Sequence, residues 1–285
     1  MRIVPVCVAV ALLVAGCGAA SGAKGKTPVV AAFYPLAFAA QTMSPSAKVE
    51  DLTPPGAEPH DLELTPQAVA RIEKAAVVLY LSHGFQPAVS AAVESAQGRK
   101  VDILQGLPLH SASGQEAGLS ADPHVWLDPV LFQQIVRRIA AGLPRPVHTA
   151  PLIADLRALD RDYRKGLAHC ERRDIVTSHA AFGYLAQRYG LRQVPITGLT
   201  PESEPTPKQL AHVIQLVRRT HATTVFFERL VSPRLADTVA REVSAHTAVL
   251  DPIEGLTPSE QRHGATYLTL MRENLAALRK ALACR

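Results

Sequence analysis

Four residues have the chemical types and the placing to hold a divalent cation: His60, His124, His179 and Asp251. Three neutral imidazoles and one carboxylate form a tetrahedral donor set suited to zinc. A single histidine in a loop is ordinarily solvated, so the surrounding residues must carry the argument. His60 lies in Pro55-Gly56-Ala57-Glu58-Pro59-His60-Asp61, a Pro/Gly loop stiff enough to fix an imidazole. His124 lies in Asp122-Pro123-His124-Val125-Trp126-Leu127-Asp128-Pro129, with two prolines and the one tryptophan of the chain. His179 follows the run Ile175-Val176-Thr177-Ser178 and opens His179-Ala180-Ala181-Phe182-Gly183-Tyr184, which reads as the start of a helix. Asp251 ends Ala248-Val249-Leu250 and precedes Pro252.

The elements that would position these residues alternate between short β-branched runs and amphipathic stretches. Strands are expected over 29–33, 48–52, 77–81 and 100–104, then again over 174–178, 193–197, 224–227 and 248–250. Helices are expected between them; Thr65-Pro66, a cap followed by proline at the first helical position, marks one start. Two helical stretches, 129–142 and 149–167, separate the halves, and one helix is expected from about 259 to 283. This alternation predicts an α/β protein: two (β/α) lobes with parallel sheets, joined by a long backbone helix. Each of the four candidate ligands falls just past the end of an expected strand or in the loop following one, and open parallel sheets bind ligands outside their strands' carboxyl ends. Two come from each half, so the expected metal site lies between the lobes. The corresponding division is 28–128 for the N-terminal lobe, 129–168 for the helical linker and 169–285 for the C-terminal lobe.

The N-terminus reads as an export signal. Arg2 precedes an apolar stretch from Ile3 to Ala15 that is short for a membrane span and right for a secretory signal. Val14-Ala15-Gly16-Cys17 resembles a bacterial lipobox, which makes residues 1–16 a signal peptide and Cys17 a lipidated first residue. Residues 17–27 then form a Gly/Ala/Ser-rich tether. Cys170 and Cys284 remain after processing; they could pair in an oxidising compartment or stay as two thiols. The formal net charge is +5 with Lys and Arg scattered and only 5% aromatics, which argues against nucleic acid. An anionic membrane surface suits that charge better.

Several of these segments resemble the cluster A-I (cluster 9) metal-binding lipoproteins of ABC importers. The resemblance rests on Pro55-Gly56-Ala57-Glu58-Pro59-His60-Asp61-Leu62-Glu63-Leu64-Thr65-Pro66, on the Asp122–Pro129 stretch and on the His179–Gly190 stretch. Gly198 to Pro205 and Val225-Phe226-Phe227-Glu228 are similar too, so the likeness runs along nearly the whole mature chain. It implies that His60, His124, His179 and Asp251 occupy the family's ligand positions. The third position is typically histidine in zinc members and glutamate in manganese members, so His179 implies Zn2+ as the transported ligand, with Mn2+ or Fe2+ as the alternative. Imidazole donors favour zinc independently. Two departures stand out. Residues 111–121 hold no histidine where many zinc members carry a His-rich loop, leaving His110 at its edge, and His83 and Gln86 stand where relatives often show Asn-Gly and a following Glu.

Four protein donors close a coordination sphere and leave no position for an activated water, which favours capture over catalysis. The sequence has no H-E-x-x-H, no G-x-S-x-G and no P-loop. The expected protein is therefore a monomeric zinc-capturing lipoprotein, not an enzyme. It would be anchored at the extracytoplasmic face of the cell membrane and serve an ABC permease with its ATPase. A surface adhesin with a structural metal is the alternative. Glu204 and Glu228 could accept an imidazole N–H behind the ligands or form ion pairs on the lobe surface. The other histidines, His148, His169, His212, His221, His246 and His263, are expected on helices or their ends, facing solvent.

Overall fold

The computed structural model describes residues 26–112, 118–201 and 205–285. The signal peptide, Cys17 and most of the tether fall outside the described residues, as does Glu204. The first half contains β1 (Thr27–Ala31), α1 (Tyr34–Met43), β2 (Ala47–Asp51), α2 (Pro66–Lys74), β3 (Val77–Tyr80), α3 (Pro87–Val93) and β4 (Arg99–Asp102). A single 3-10 turn, Val125–Leu127, leads into α4 (Pro129–Gly142) and α5 (Ala150–Gly166). The second half contains β5 (Asp174–Thr177), α6 (Gly183–Tyr189), β6 (Arg192–Pro195), α7 (Pro207–Thr220), β7 (Thr224–Phe227), α8 (Arg234–Glu242) and β8 (His246–Val249). The chain closes with α9 (Pro258–Arg262) and α10 (Tyr267–Ala281).

The strands form two four-stranded sheets of the same topology, β2-β1-β3-β4 and β6-β5-β7-β8. Every strand pair is parallel. Parallel sheets are covered on both faces, so their central strands read as apolar runs. Val29, Val30, Ala31 and Val78 in one sheet and Ile175, Val176 and Val225 in the other are accordingly buried. Because both sheets are parallel, all carboxyl ends within a lobe point the same way.

Helix starts follow the sequence signals. Thr65 accepts the Ala68 N–H ahead of Pro66, and Asp128 accepts the Val130 and Leu131 N–H groups ahead of Pro129. Two local expectations are corrected. His179 does not open a helix: α6 begins only at Gly183, which leaves His179 free in the strand-end loop. The C-terminal helix is broken in two, because the chain turns at Gly264 with φ of 70° and restarts at Thr266, which caps α10 through Thr269.

One apolar core runs through the N-terminal lobe, α4, α5 and the inner part of the C-terminal lobe, taking in Trp126, Phe132, Tyr163, Phe182 and Tyr267. A smaller core built on Val176, Val217, Val225 and Val239 fills the outer part of the second lobe. Helix α5 packs against α4, α10 and α1 and spans the two halves. Cys170 and Cys284 form a disulfide that ties the chain's last residues to the entry of the second lobe. Among the described residues no helix is long and apolar enough to cross a membrane.

Candidate metal centre

Four loops at strand carboxyl ends converge between the sheets. His60 sits in the β2–α2 loop, His124 just before the 3-10 turn, His179 two residues past β5, and Glu254 five residues past β8. One donor atom from each of His60, His124, His179 and Glu254 lies within 4.8 Å of every other. The Nε2 atoms of His124 and His179 are 3.3 Å apart. Glu254 Oε1 is 3.3 Å from His60 Nε2, 3.1 Å from His124 Nε2 and 3.6 Å from His179 Nε2. Zinc–donor bonds of about 2.0–2.1 Å in a tetrahedron separate the donors by about 3.3 Å. The four distances above are close to that edge, and the pairs joining His60 to the other two imidazoles lie within 4.8 Å, so the donors could close on such an ion. All four residues are buried, none more than 4% exposed.

The histidines are oriented from behind. His124 Nδ1–H donates to Asp122 Oδ1 at 2.7 Å, and Asp122 Oδ1 also accepts the His124 backbone N–H at 2.9 Å. His179 Nδ1–H donates to Glu228 Oε1 at 2.6 Å, and Ser178 donates its hydroxyl to the same oxygen. A carboxylate on Nδ1 fixes the tautomer, aims the Nε2 lone pair inward and raises ring basicity. Thus Glu228 stands behind a ligand and not in a surface ion pair. Asp122 does the same for His124, a role its Asp-Pro-His context signals through its two-residue separation. His60 has no such partner: among the described residues nothing pairs with its Nδ1. Its ring instead meets Phe85 edge-on, with centroids 4.7 Å apart.

Electrostatics follows from these contacts. Burial pushes the His60 imidazole down, outweighing attraction to Glu254. Burial opposes the charged His179 ring as well, but Glu228 and Glu254 overturn it and hold this imidazole well above its usual range. His124 is raised on balance, since Asp122 and Glu254 outweigh its burial. For Glu254, burial alone would raise the carboxyl, yet the three imidazoles hold it well below the usual carboxylate range. The pocket is thus built for a carboxylate beside positive charge.

The structure gathers His60, His124 and His179 and leaves out Asp251, so the fourth donor is corrected to Glu254. The Asp251 carboxyl is used locally: Oδ1 accepts the Ile253 N–H at 2.7 Å, and Oδ2 lies 3.8 Å from Arg229 Nε. Burial raises it to about 6. Glu254 was missed because nothing in Asp251-Pro252-Ile253-Glu254 indicates that the chain turns inward after the strand. Its one signal was an acidic residue following Ile253 in the loop after the strand. His83 is exposed and hydrogen-bonds Ser120 Oγ at 2.7 Å, away from the cluster. His110 stacks on Tyr184 and bonds Gln187. The six remaining histidines are exposed, with His246 on β8 instead of a helix.

Two parallel-sheet lobes around a buried three-histidine, one-glutamate centre define a metal-capturing solute-binding protein. The chain belongs to the family described as zinc-uptake complex component A, periplasmic, whose model matches residues 29–281. It is 37% identical to the high-affinity zinc uptake system protein ZnuA of Bacillus subtilis, across 95% of this chain and 94% of that one. It is 34% identical to the zinc-binding lipoprotein AdcA of Streptococcus pneumoniae across 95% of this chain, but spans only 58% of AdcA. The crystal structure of the Zn(II)-bound ZnuA-like domain of that AdcA superposes with a TM-score of 0.76 at 34% identity, covering 90% of this chain and 99% of the domain.

Proposed function

We propose that this protein is the extracytoplasmic zinc-binding component of an ABC importer, capturing Zn2+ and delivering it to a membrane permease. The observation that carries this reading is the meeting of three imidazoles and one carboxylate, from four loops of two lobes, with their donor atoms all within 4.8 Å of one another. Imidazole-rich donors favour zinc over manganese, which prefers oxygen. Such proteins bind and transport without catalysing a reaction, and family membership supports that role here. The ligand set we assign is His60, His124, His179 and Glu254, with Asp122 and Glu228 orienting two of the rings.

The protein works at the membrane with a cognate permease and ATPase, as its family does. We assign the anchor to diacylated Cys17, since two acyl chains are needed for a stable hold. A folded apo form that exchanges metal reversibly separates this role from a structural metal. Competition titration of the purified protein with zinc and manganese, alongside zinc-limited growth of a deletion strain, tests the function. Tight zinc binding with zinc-dependent growth rescue is expected; preference for manganese, or unfolding on metal removal, would refute it. Cys17→Ser should release the protein from membranes, and continued membrane association would refute the anchor.

A further inference from the structure

The residue just before Glu254 adopts a backbone conformation that its type resists. Ile253 has φ of 57°, in the left-handed region where a β-branched side chain crowds its own backbone. It is also fully buried. Such a conformation persists only where its surroundings over-determine it, and four hydrogen bonds do so here. Asp251 Oδ1 accepts the Ile253 N–H at 2.7 Å. The Asp251 N–H donates to Asn274 Oδ1 at 2.9 Å, and Asn274 Nδ2 donates back to the Asp251 carbonyl at 2.6 Å. Trp126 Nε1 donates to the Pro252 carbonyl at 2.7 Å. Asp251, Asn274 and Trp126 are themselves buried, so water does not compete for these bonds.

We propose that Asp251 is a positioning residue: its carboxyl holds Ile253 in the left-handed turn, and that turn aims Glu254 at the three imidazoles. This rests on the assignment of Glu254 as a metal ligand. An extended or right-handed residue at 253 would carry the next side chain along a different path, because φ at 253 sets the direction of the peptide leading to Glu254. Asn274 and Trp126 brace the base of the turn, while Asp251 alone among the three bonds the strained residue itself. A glycine at 253 would take the same conformation without the clamp.

The full chain carrying Asp251→Ala, Asp251→Asn, Ile253→Gly or Asp251→Ala with Ile253→Gly tests this. Zinc affinity, the visible absorption of the Co2+-loaded protein and the apo melting temperature are measured for each. Asp251→Ala should weaken zinc binding by about tenfold or more and shift the Co2+ spectrum. Asp251→Asn, which keeps an acceptor for the Ile253 N–H, should stay close to the parent. The double variant should regain affinity and the parental Co2+ spectrum. A double variant as weak as Asp251→Ala, or an Asp251→Ala protein that melts lower yet binds zinc like the parent, would overturn the proposal. Glu254→Ala serves as the reference: parental affinity there would overturn the ligand assignment itself, whatever Asp251 does.

Discussion

His124 and His179 stand 55 residues apart in sequence, yet their Nε2 atoms are 3.3 Å apart between the two lobes. Neither ring can occupy that position alone without cost, since each is fully buried. Their juxtaposition is sustained by carboxylates on both sides: Asp122 and Glu228 behind, Glu254 in front.

Removing a ligand should therefore be expensive for binding and mild for folding. His124→Ala, His179→Ala and Glu254→Ala are each expected to weaken zinc binding at least about tenfold with the apo fold retained. Chelator competition and far-ultraviolet circular dichroism on the same samples check both halves of the statement. Unchanged affinity would remove that residue from the centre.

The residues behind the rings should matter nearly as much. Asp122→Asn and Glu228→Gln keep size and shape but lose the charge that raises imidazole basicity, and such changes typically cost about 10- to 100-fold in metal affinity. Calorimetry would detect the loss; parental affinity in both variants would mean that orientation alone suffices.

Metal uptake should release protons. Asp122, Glu228 and Glu254 raise the His124 and His179 rings above the ordinary imidazole range, which favours their protonated forms, whereas burial lowers His60 and the imidazoles lower Glu254. A ligating imidazole must be neutral, so zinc binding should release protons from these raised rings and affinity should fall as pH drops. Titration in buffers of different ionisation enthalpy measures the number. Binding with no proton release, and with an affinity that does not change as pH falls, would contradict the raised imidazoles.

The third ligand should set selectivity. His179→Glu replaces an imidazole with an oxygen donor and is expected to shift preference toward manganese. Competition between the two ions reads this directly, and an unshifted ratio would show that the selectivity lies elsewhere.

The disulfide is expected to support the fold and not the site. Cys170 and Cys284 close a span of 114 residues, and losing a native bridge of this kind costs about 2–5 kcal/mol. The double serine variant should melt lower while binding zinc normally; an unchanged melting point would contradict a stabilising role.

Much of this arrangement is legible in the sequence. The Pro/Gly and Pro/Trp contexts of His60 and His124 and the strand ahead of His179 placed three donors correctly, because strand ends in a parallel sheet share one direction. The fourth was misread for a backbone reason. Asp251 ends the apolar run and looks available, but its short carboxyl is consumed by the Ile253 N–H. An isoleucine at positive φ then turns the chain so that Glu254, with its longer reach, enters the centre. No propensity rule predicts that turn at a β-branched residue. The single C-terminal helix failed for a simpler reason, as Gly264 and the Thr266 cap are local signals that the surrounding apolar spacing obscured.

X-ray absorption at the zinc edge of the loaded protein tests the coordination itself. It should give three imidazole nitrogens and one carboxylate oxygen at about 2.0–2.1 Å, with one imidazole fewer in His124→Ala. A sulfur neighbour, an oxygen-only shell, or a parental spectrum in that variant would contradict the account.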